Sequence, residues 1–223
     1  MAPAVRRTSA TLLLLLARSS ASAEDAEWHR GPKTTTDKPV RWSPWTAGTW
    51  TTGYWDCCKP SCSWSGKGEV TRPARSCDIR TGKTLLDPNE RSVCQGGVAA
   101  MCADHAPFIA HGNLSLGFAA AAVSGFHGLR GDSDCGRCFE LQFTEEVHHN
   151  GNWGGSHPHL IGKTMVVQVN NIGFDVTGDH SFDLQIPGAG QGAFADGCQA
   201  QFRGYQAGDF DCNNRYGGCW EKS

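Results

Sequence analysis

Residues 51–64 combine the side chains that acid–base chemistry on a sugar requires. The stretch holds three aromatic residues, the single carboxylate Asp56 and three cysteines, Cys57, Cys58 and Cys62. Aromatic rings stack on sugar rings, and a rigidly held carboxylate can transfer protons or activate water. If the cysteines are oxidised, the backbone on both sides of Asp56 is held in place, so we predict that Asp56 is catalytic. The alternative is a disulfide-rich secreted domain in which Asp56 only caps a turn.

A second stretch, residues 170–190, supplies the partner that such chemistry needs. It contains three carboxylates: Asp175, Asp179 and Asp183. Asp183 lies between Phe182 and Leu184 on a predicted strand, where partial desolvation would raise its pKa and keep it protonated near neutral pH. That suits a general acid, whereas Asp175 and Asp179 lie in a glycine-containing loop and are expected to be ionised. The alternative for Asp183 is a strand-edge aspartate that bonds to a turn.

The elements that must position these carboxylates are predicted to be strands. Residues 138–144 alternate between apolar and polar side chains, which indicates a half-buried strand, and residues 164–169 and 182–186 form two more. Residues 51–55 are also β-prone, but the apolar run 114–123 fits a helix or a buried strand equally well. Strands at this spacing, separated by glycine-rich turns, predict a compact β-barrel.

Length, charge and the N-terminus indicate a secreted protein with one folded domain. The chain has 223 residues and a net charge of −2, which offers no basic surface to nucleic acid. An arginine pair, a run of leucines and a small-residue cleavage pattern ending at Ala23 predict a signal peptide over residues 1–23. The leucine run is too short to span a bilayer. Residues 24–48 are polar and read as a leader or linker, and residues 49–223 form the domain.

The number of cysteines also indicates a secreted protein. The eleven cysteines are Cys57, Cys58, Cys62, Cys77, Cys94, Cys102, Cys135, Cys138, Cys198, Cys212 and Cys219. In an oxidising compartment they predict a disulfide framework, and the odd number leaves one thiol over or bonded to another chain. A zinc site is the alternative for the C-x-x-C motif at 135–138, but no second such motif accompanies it, so we expect no metal.

Two other features concern ligands and modification. Four histidines lie in the segment 145–162: His148, His149, His157 and His159. Clustered imidazoles bind metals, but the many glycines here favour an exposed loop with unorganised ligands. Asn113-Leu114-Ser115 is a sequon for N-glycosylation of Asn113.

Both carboxylate stretches resemble motifs of family 45 glycoside hydrolases, which are small secreted endoglucanases. Residues 52–62 read Thr-Gly-Tyr-Trp-Asp-Cys-Cys-Lys-Pro-Ser-Cys and match the family's first motif, with Gly53 where the family usually has Arg. Residues 180–190 match the second motif, with Ser181 where the family usually has His. The resemblance covers about residues 51–220 and implies a mainly β fold, a six-stranded double-psi β-barrel with an open groove, long disulfide-stapled loops and few short helices.

The resemblance also implies residue roles. Asp183 corresponds to the general acid, Asp56 to the general base and Asp175 to an auxiliary loop aspartate. The residues that match the family's glucan-binding cleft are Thr52, Tyr54 and Trp64. The implied activity is an inverting endo-β-1,4-glucanase that needs no cofactor, binds neither nucleic acid nor membrane, and acts outside the cell as a monomer on a β-glucan. The alternatives are an expansin-like wall-loosening protein, which binds polysaccharide without cutting it, and a small disulfide-locked defence or sugar-binding protein.

A disulfide pairing follows from the same resemblance. The implied pairs are Cys57–Cys198, Cys58–Cys94, Cys62–Cys135, Cys77–Cys102 and Cys212–Cys219. Cys138 is left over, because its partner in the family lies in a C-terminal tail. We therefore expect the sequence to be a fragment or a shortened variant.

Overall fold

The computed structural model describes residues 2–7, 45, 49–122, 131–145, 158–173, 181–191, 194 and 196–201. The elements are β1 (Ala2–Arg7), β2 (Trp50–Tyr54), β3 (Cys77–Asp78), β4 (Ala99–Ala100), β5 (Phe108–His111), β6 (Leu114–Ala122), β7 (Cys138–Thr144), β8 (Thr164–Gly173), β9 (Ser181–Gln185) and the helix α1 (Asp196–Gln201). Short 3-10 turns occur at Ser61–Ser63, Val93–Gln95, Ala103–His105 and Gly131–Asp134. No helix in these ranges is long and apolar enough to cross a membrane.

One mixed sheet dominates the described residues and confirms the expected mainly β fold with few helices. Its strands follow the order β1-β7-β8-β6-β9-β2, and β5 joins at the side of β6. Two pairs are parallel, β6 with β8 and β2 with β9, and the other pairs are antiparallel. The path holds six strands, and its two end strands β1 and β2 contact each other.

The ambiguous apolar run 114–123 is a strand, β6, at the centre of this sheet. β6 pairs with β8 on one side and with β9 on the other. Its residues Ala119, Ala120 and Ala121 are all buried, so the strand lacks the alternation of a half-exposed one. That continuous burial is why the pattern alone did not separate strand from helix.

The other predicted strands are confirmed with small shifts of their ends. β7 covers the predicted residues 138–144, and its apolar side chains are buried while Gln142 is exposed. β8 continues four residues beyond the predicted end, to Gly173. The Phe139 and Phe182 rings lie 4.9 Å apart in the core, which packs β7 against β9.

Strand β1 occupies the outer side of β7, where Ala2–Arg7 runs antiparallel to residues 139–144. These residues lie within the segment predicted to be a signal peptide, and that cleavage stays a prediction. If the leader is removed, the edge of β7 loses this partner. Most of the predicted linker, residues 24–48, lies outside the described residues.

Among the described residues, four disulfide bonds hold the loops around the sheet. They are Cys57–Cys198, Cys58–Cys94, Cys62–Cys135 and Cys77–Cys102, four of the five pairs that the resemblance implied. Cys212 and Cys219 lie outside the described residues. Cys138 is a buried thiol at the start of β7, and burial raises its pKa to about 11.

Candidate active site

Asp183 is placed by the parallel pairing of β2 and β9. In this register Thr52 stands opposite Asp183, and the Thr52 Oγ1 hydroxyl donates a 2.8 Å hydrogen bond to Asp183 Oδ1. On the other side, Asp183 pairs with Ala120 of β6. Asp183 is half-buried between the buried Phe182 and Leu184, as the sequence pattern predicted.

Asp56 lies just beyond the end of β2, where the chain leaves the sheet. The Trp55 backbone N–H donates to Gly190 O across a distance of 2.6 Å, which ties this end to the turn after β9. The Asp56 side chain is 7% exposed, and its Oδ1 accepts a 2.9 Å hydrogen bond from the Cys58 N–H. Asp56 therefore does cap the turn that it begins.

The turn after Asp56 is strained and held by covalent bonds. Cys57 has a φ of +61°, a left-handed conformation that side chains with a Cβ rarely adopt. Disulfides anchor both Cys57, to Cys198 of α1, and Cys58, to Cys94. The surrounding framework thus fixes the backbone that carries Asp56, which is what the adjacent cysteine pair predicted.

The helix α1 packs directly on the backbone of Asp56. A Cβ at Gly197 would lie 2.5 Å from the Asp56 carbonyl oxygen and 2.5 Å from Cys94 Sγ. Only a glycine lets the helix come this close. Nothing in the sequence marked Gly197 as part of the site, because its contact is made across the fold.

Tyr54 lies near both carboxylates, and its hydroxyl is turned into the protein. Its Oη accepts hydrogen bonds from Gln185 Nε2 at 2.8 Å and from Asn171 Nδ2 at 3.0 Å. Burial raises the pKa of Tyr54 well above its ordinary value, and the charges of Asp56 and Asp183 raise it further. Both carboxylates are therefore near this phenol, but the hydroxyl itself is not presented to a substrate.

Trp64 is held on one face by a buried lysine. Lys59 Nζ lies 3.3 Å from the centroid of the Trp64 ring and donates to the carbonyl oxygens of Pro88 at 2.6 Å and Glu90 at 2.8 Å. A cation above an indole face is stabilised by the π electrons. Burial lowers the pKa of Lys59, and the charges of nearby acidic residues partly offset this. Trp64 is half-buried, and a sugar ring would have to stack on the face opposite Lys59.

Comparison with known proteins gives these two carboxylates a family context. The family model described as glycosyl hydrolase family 45 matches residues 47–223. The chain belongs to glycosyl hydrolase family 45. An endoglucanase of the springtail Cryptopygus antarcticus is 43% identical over 173 residues, which cover 78% of this chain and 67% of that protein. Endoglucanase B of Cellvibrio japonicus is 43% identical over 152 residues, but these cover 27% of its length.

A solved structure supports the fold class of this family 45 chain. The crystal structure of a cellulase from the Antarctic springtail aligns with a TM-score of 0.61 and 44% identity, covering 75% of this chain and 70% of that one. The resemblance inferred from the sequence is thus confirmed, and with it the expectation of a glycoside hydrolase of the endoglucanase type. None of the comparisons favours the expansin-like alternative.

Gly53, where this chain departs from the family motif, is closely surrounded in the structure. A Cβ at Gly53 would lie 3.1 Å from Ala189 Cβ and 3.4 Å from Ile186 Cδ1. The turn after β9 therefore packs closely against β2 at this position. A larger residue would require Ala189 to shift.

Several predicted functional residues are outside the described residues or lie apart from the candidate active site. Asp175 and the histidines at 148, 149 and 157 are outside the described residues, so their predicted roles stay predictions. Asn113 is exposed in the turn between β5 and β6, where a glycan could be attached.

Among the described residues, Cys102, Asp104 and His105 lie close together, but Cys102 is bonded to Cys77 and offers no thiolate to a metal. Cys135 of the C-x-x-C motif is likewise in a disulfide.

Proposed function

We propose that this family 45 protein is a secreted endo-β-1,4-glucanase that cleaves with inversion, with Asp183 as general acid and Asp56 as general base. The observation that supports this best is the β2–β9 pairing, which joins the two carboxylate stretches in one structural unit. They are 127 positions apart in the chain, between 56 and 183. Two carboxylates on either side of a glycosidic bond are the usual apparatus of such enzymes.

In the proposed reaction, Asp183 gives its proton to the oxygen of the leaving sugar. The Thr52 hydroxyl donates to Asp183 Oδ1, so the transferable proton belongs on Oδ2. Asp56 accepts a proton from a water that attacks the opposite face of the sugar ring. An inverting mechanism requires the two carboxyl groups to lie about 6.5–9.5 Å apart, so that the water fits between them.

The substrate class follows from the same residues. A β-glucan chain would bind beside the two carboxylates, with one sugar ring stacked on the face of Trp64 opposite Lys59. Thr52 and the ring of Tyr54 would line the cleft beside it, and Asp175 would tune the charge near Asp183. We propose that the enzyme acts outside the cell as a monomer and uses no cofactor.

The test is a reducing-end assay on soluble carboxymethyl cellulose and barley β-glucan, with NMR of the first products. We expect rapid loss of viscosity, which indicates internal cleavage, and the α-anomer as the first product of a β-linked chain. The β-anomer as first product would contradict the role of Asp56. Binding of glucan without new reducing ends would instead indicate the expansin-like function.

A further inference from the structure

Two successive side-chain bonds cross the parallel β2–β9 pair. Thr52 faces Asp183, and two residues further along Tyr54 faces Gln185. Each pair is joined by a hydrogen bond of 2.8 Å, from Thr52 Oγ1 to Asp183 and from Gln185 Nε2 to Tyr54 Oη. The second bond is buried, while the first is partly buried.

The Gln185 amide is itself held without freedom to rotate. Gln185 Nε2 also donates to Asn170 Oδ1 at 2.9 Å, and Asn170 Nδ2 donates back to Gln185 Oε1 at 3.0 Å. The second proton of Asn170 Nδ2 faces His105 Nδ1 at 3.3 Å. Burial lowers the pKa of His105 to about 4, so the ring is neutral at neutral pH, and the tautomer protonated at Nε2 lets Nδ1 accept from Asn170. A flip of either amide would set donors against donors.

This arrangement links the strand of the acid to the segment of the base. Gln185 lies two residues after Asp183 on β9, and Tyr54 lies two residues before Asp56. The bond between Gln185 and Tyr54 is therefore a short connection between the two carboxylate segments. Displacement of a reacting group by about 1 Å can reduce a rate about 100-fold, so the relative position of the two segments is important for the proposed reaction.

We propose that Gln185 is a positioning residue, which acts through the Tyr54 hydroxyl to fix the position of Asp56 relative to Asp183. The inference rests on the proposed roles of these two aspartates. It assigns a function in the reaction to an amide that would otherwise be read as a satisfied polar group of the core. It also gives the Tyr54 hydroxyl a structural role, in addition to any contact between the Tyr54 ring and the glucan.

The test compares Tyr54→Phe, Gln185→Met and the double variant with the wild-type enzyme on soluble β-glucan. Each substitution removes the bond while it keeps the approximate shape of the side chain. We expect each single variant to lose about 10- to 100-fold in kcat, with KM within about twofold of wild type. The double variant should lose no more than the worse single variant, because both remove the same connection.

Val167→Ala is the matched control, since Val167 is fully buried in β8 and makes none of these hydrogen bonds. It should lower the melting temperature and leave kcat unchanged. Single variants with wild-type kcat, or losses that multiply in the double variant, would overturn the proposal.

A second readout does not depend on activity. Carbon NMR of the aspartate side chains follows the titration of Asp56 and Asp183 directly. We expect Tyr54→Phe and Gln185→Met to change the Asp56 titration in the same direction, while Val167→Ala leaves it unchanged. An unchanged titration in both variants would refute the positioning role. If the wild-type protein released no reducing ends, the proposed activity would fail, and this titration would still decide the positioning role.

Discussion

Gly197→Ala tests whether the position of Asp56 depends on the close approach of α1. The added methyl group would lie 2.5 Å from the Asp56 carbonyl oxygen and from Cys94 Sγ, about 0.9 Å short of the 3.4 Å at which ordinary contact begins. Neither atom belongs to a flexible side chain, since one is backbone and the other is in a disulfide. The turn that carries Asp56 and the helix must therefore move apart by most of that distance.

The expected effects on activity and stability differ in size. A shift approaching 1 Å in the general base should lower kcat about 100-fold. Overpacking costs about 1–3 kcal/mol, and alanine in a helix recovers about 0.5–1 kcal/mol relative to glycine, so the net loss of stability should lie between about 0 and 2.5 kcal/mol. Initial rates on β-glucan and thermal unfolding measure the two quantities. Gln199→Ala, at an exposed position of the same helix, is the control and should change neither.

A Gly197→Ala variant with wild-type kcat would refute this reasoning. If the melting temperature falls while kcat stays unchanged, the helix has moved and Asp56 has not. The packing of α1 would then support the fold without contributing to the reaction.

The remaining predictions concern the carboxylates, the tryptophan and a buried histidine. Asp183→Asn and Asp56→Asn should each reduce kcat on β-glucan by about 10²–10⁴-fold, because each removes a proton-transfer group, and equal rates to wild type would exclude that role. Trp64→Ala should raise KM for glucan, and Lys59→Met should raise it less, since the indole stays but loses its cation; initial rates over a range of cello-oligosaccharide concentrations measure both. For His105, whose folded pKa is about 4 against an ordinary 6.5, stability should fall as pH drops through this window, because the unfolded state takes up the proton first. Thermal unfolding between pH 4 and pH 7 should show this slope, and His105→Gln should reduce it.

The sequence predicted those strands whose pattern of apolar and turn residues is visible among neighbouring positions in the chain. β7 alternates between a covered and an open side, so a period-two pattern was visible, and its ends agree with the structure. β9 was recognised with a shift of one residue, because the Pro187-Gly188 turn marks its end. For β6, burial on both faces removes the pattern, and the sequence left helix and strand equally open.

The parts of the site that sequence reasoning missed are those that depend on contacts between distant segments. Gly197 is important because a helix approaches Asp56, Lys59 because its ammonium group reaches Trp64, and Gln185 because β9 pairs with β2. Lys59 carried little signal, since lysine side chains are usually exposed. Gln185 and Gly197 carried none, because a glutamine in a strand and a glycine in a helix have many other uses.

The two carboxylates are positioned by different kinds of structure, and this difference explains why the cysteines cluster around only one of them. Asp183 lies within the sheet, where backbone hydrogen bonds to both β6 and β2 fix its strand. Asp56 lies outside the sheet, after the end of β2 and next to Cys57 at φ +61°. The backbone hydrogen bonds of the sheet therefore cannot hold it. Two disulfides and the contact with Gly197 hold this turn instead. In the proposed reaction the base must keep a constant distance from its acid, so Asp56 would depend on covalent links between loops, and such links persist in an oxidising compartment.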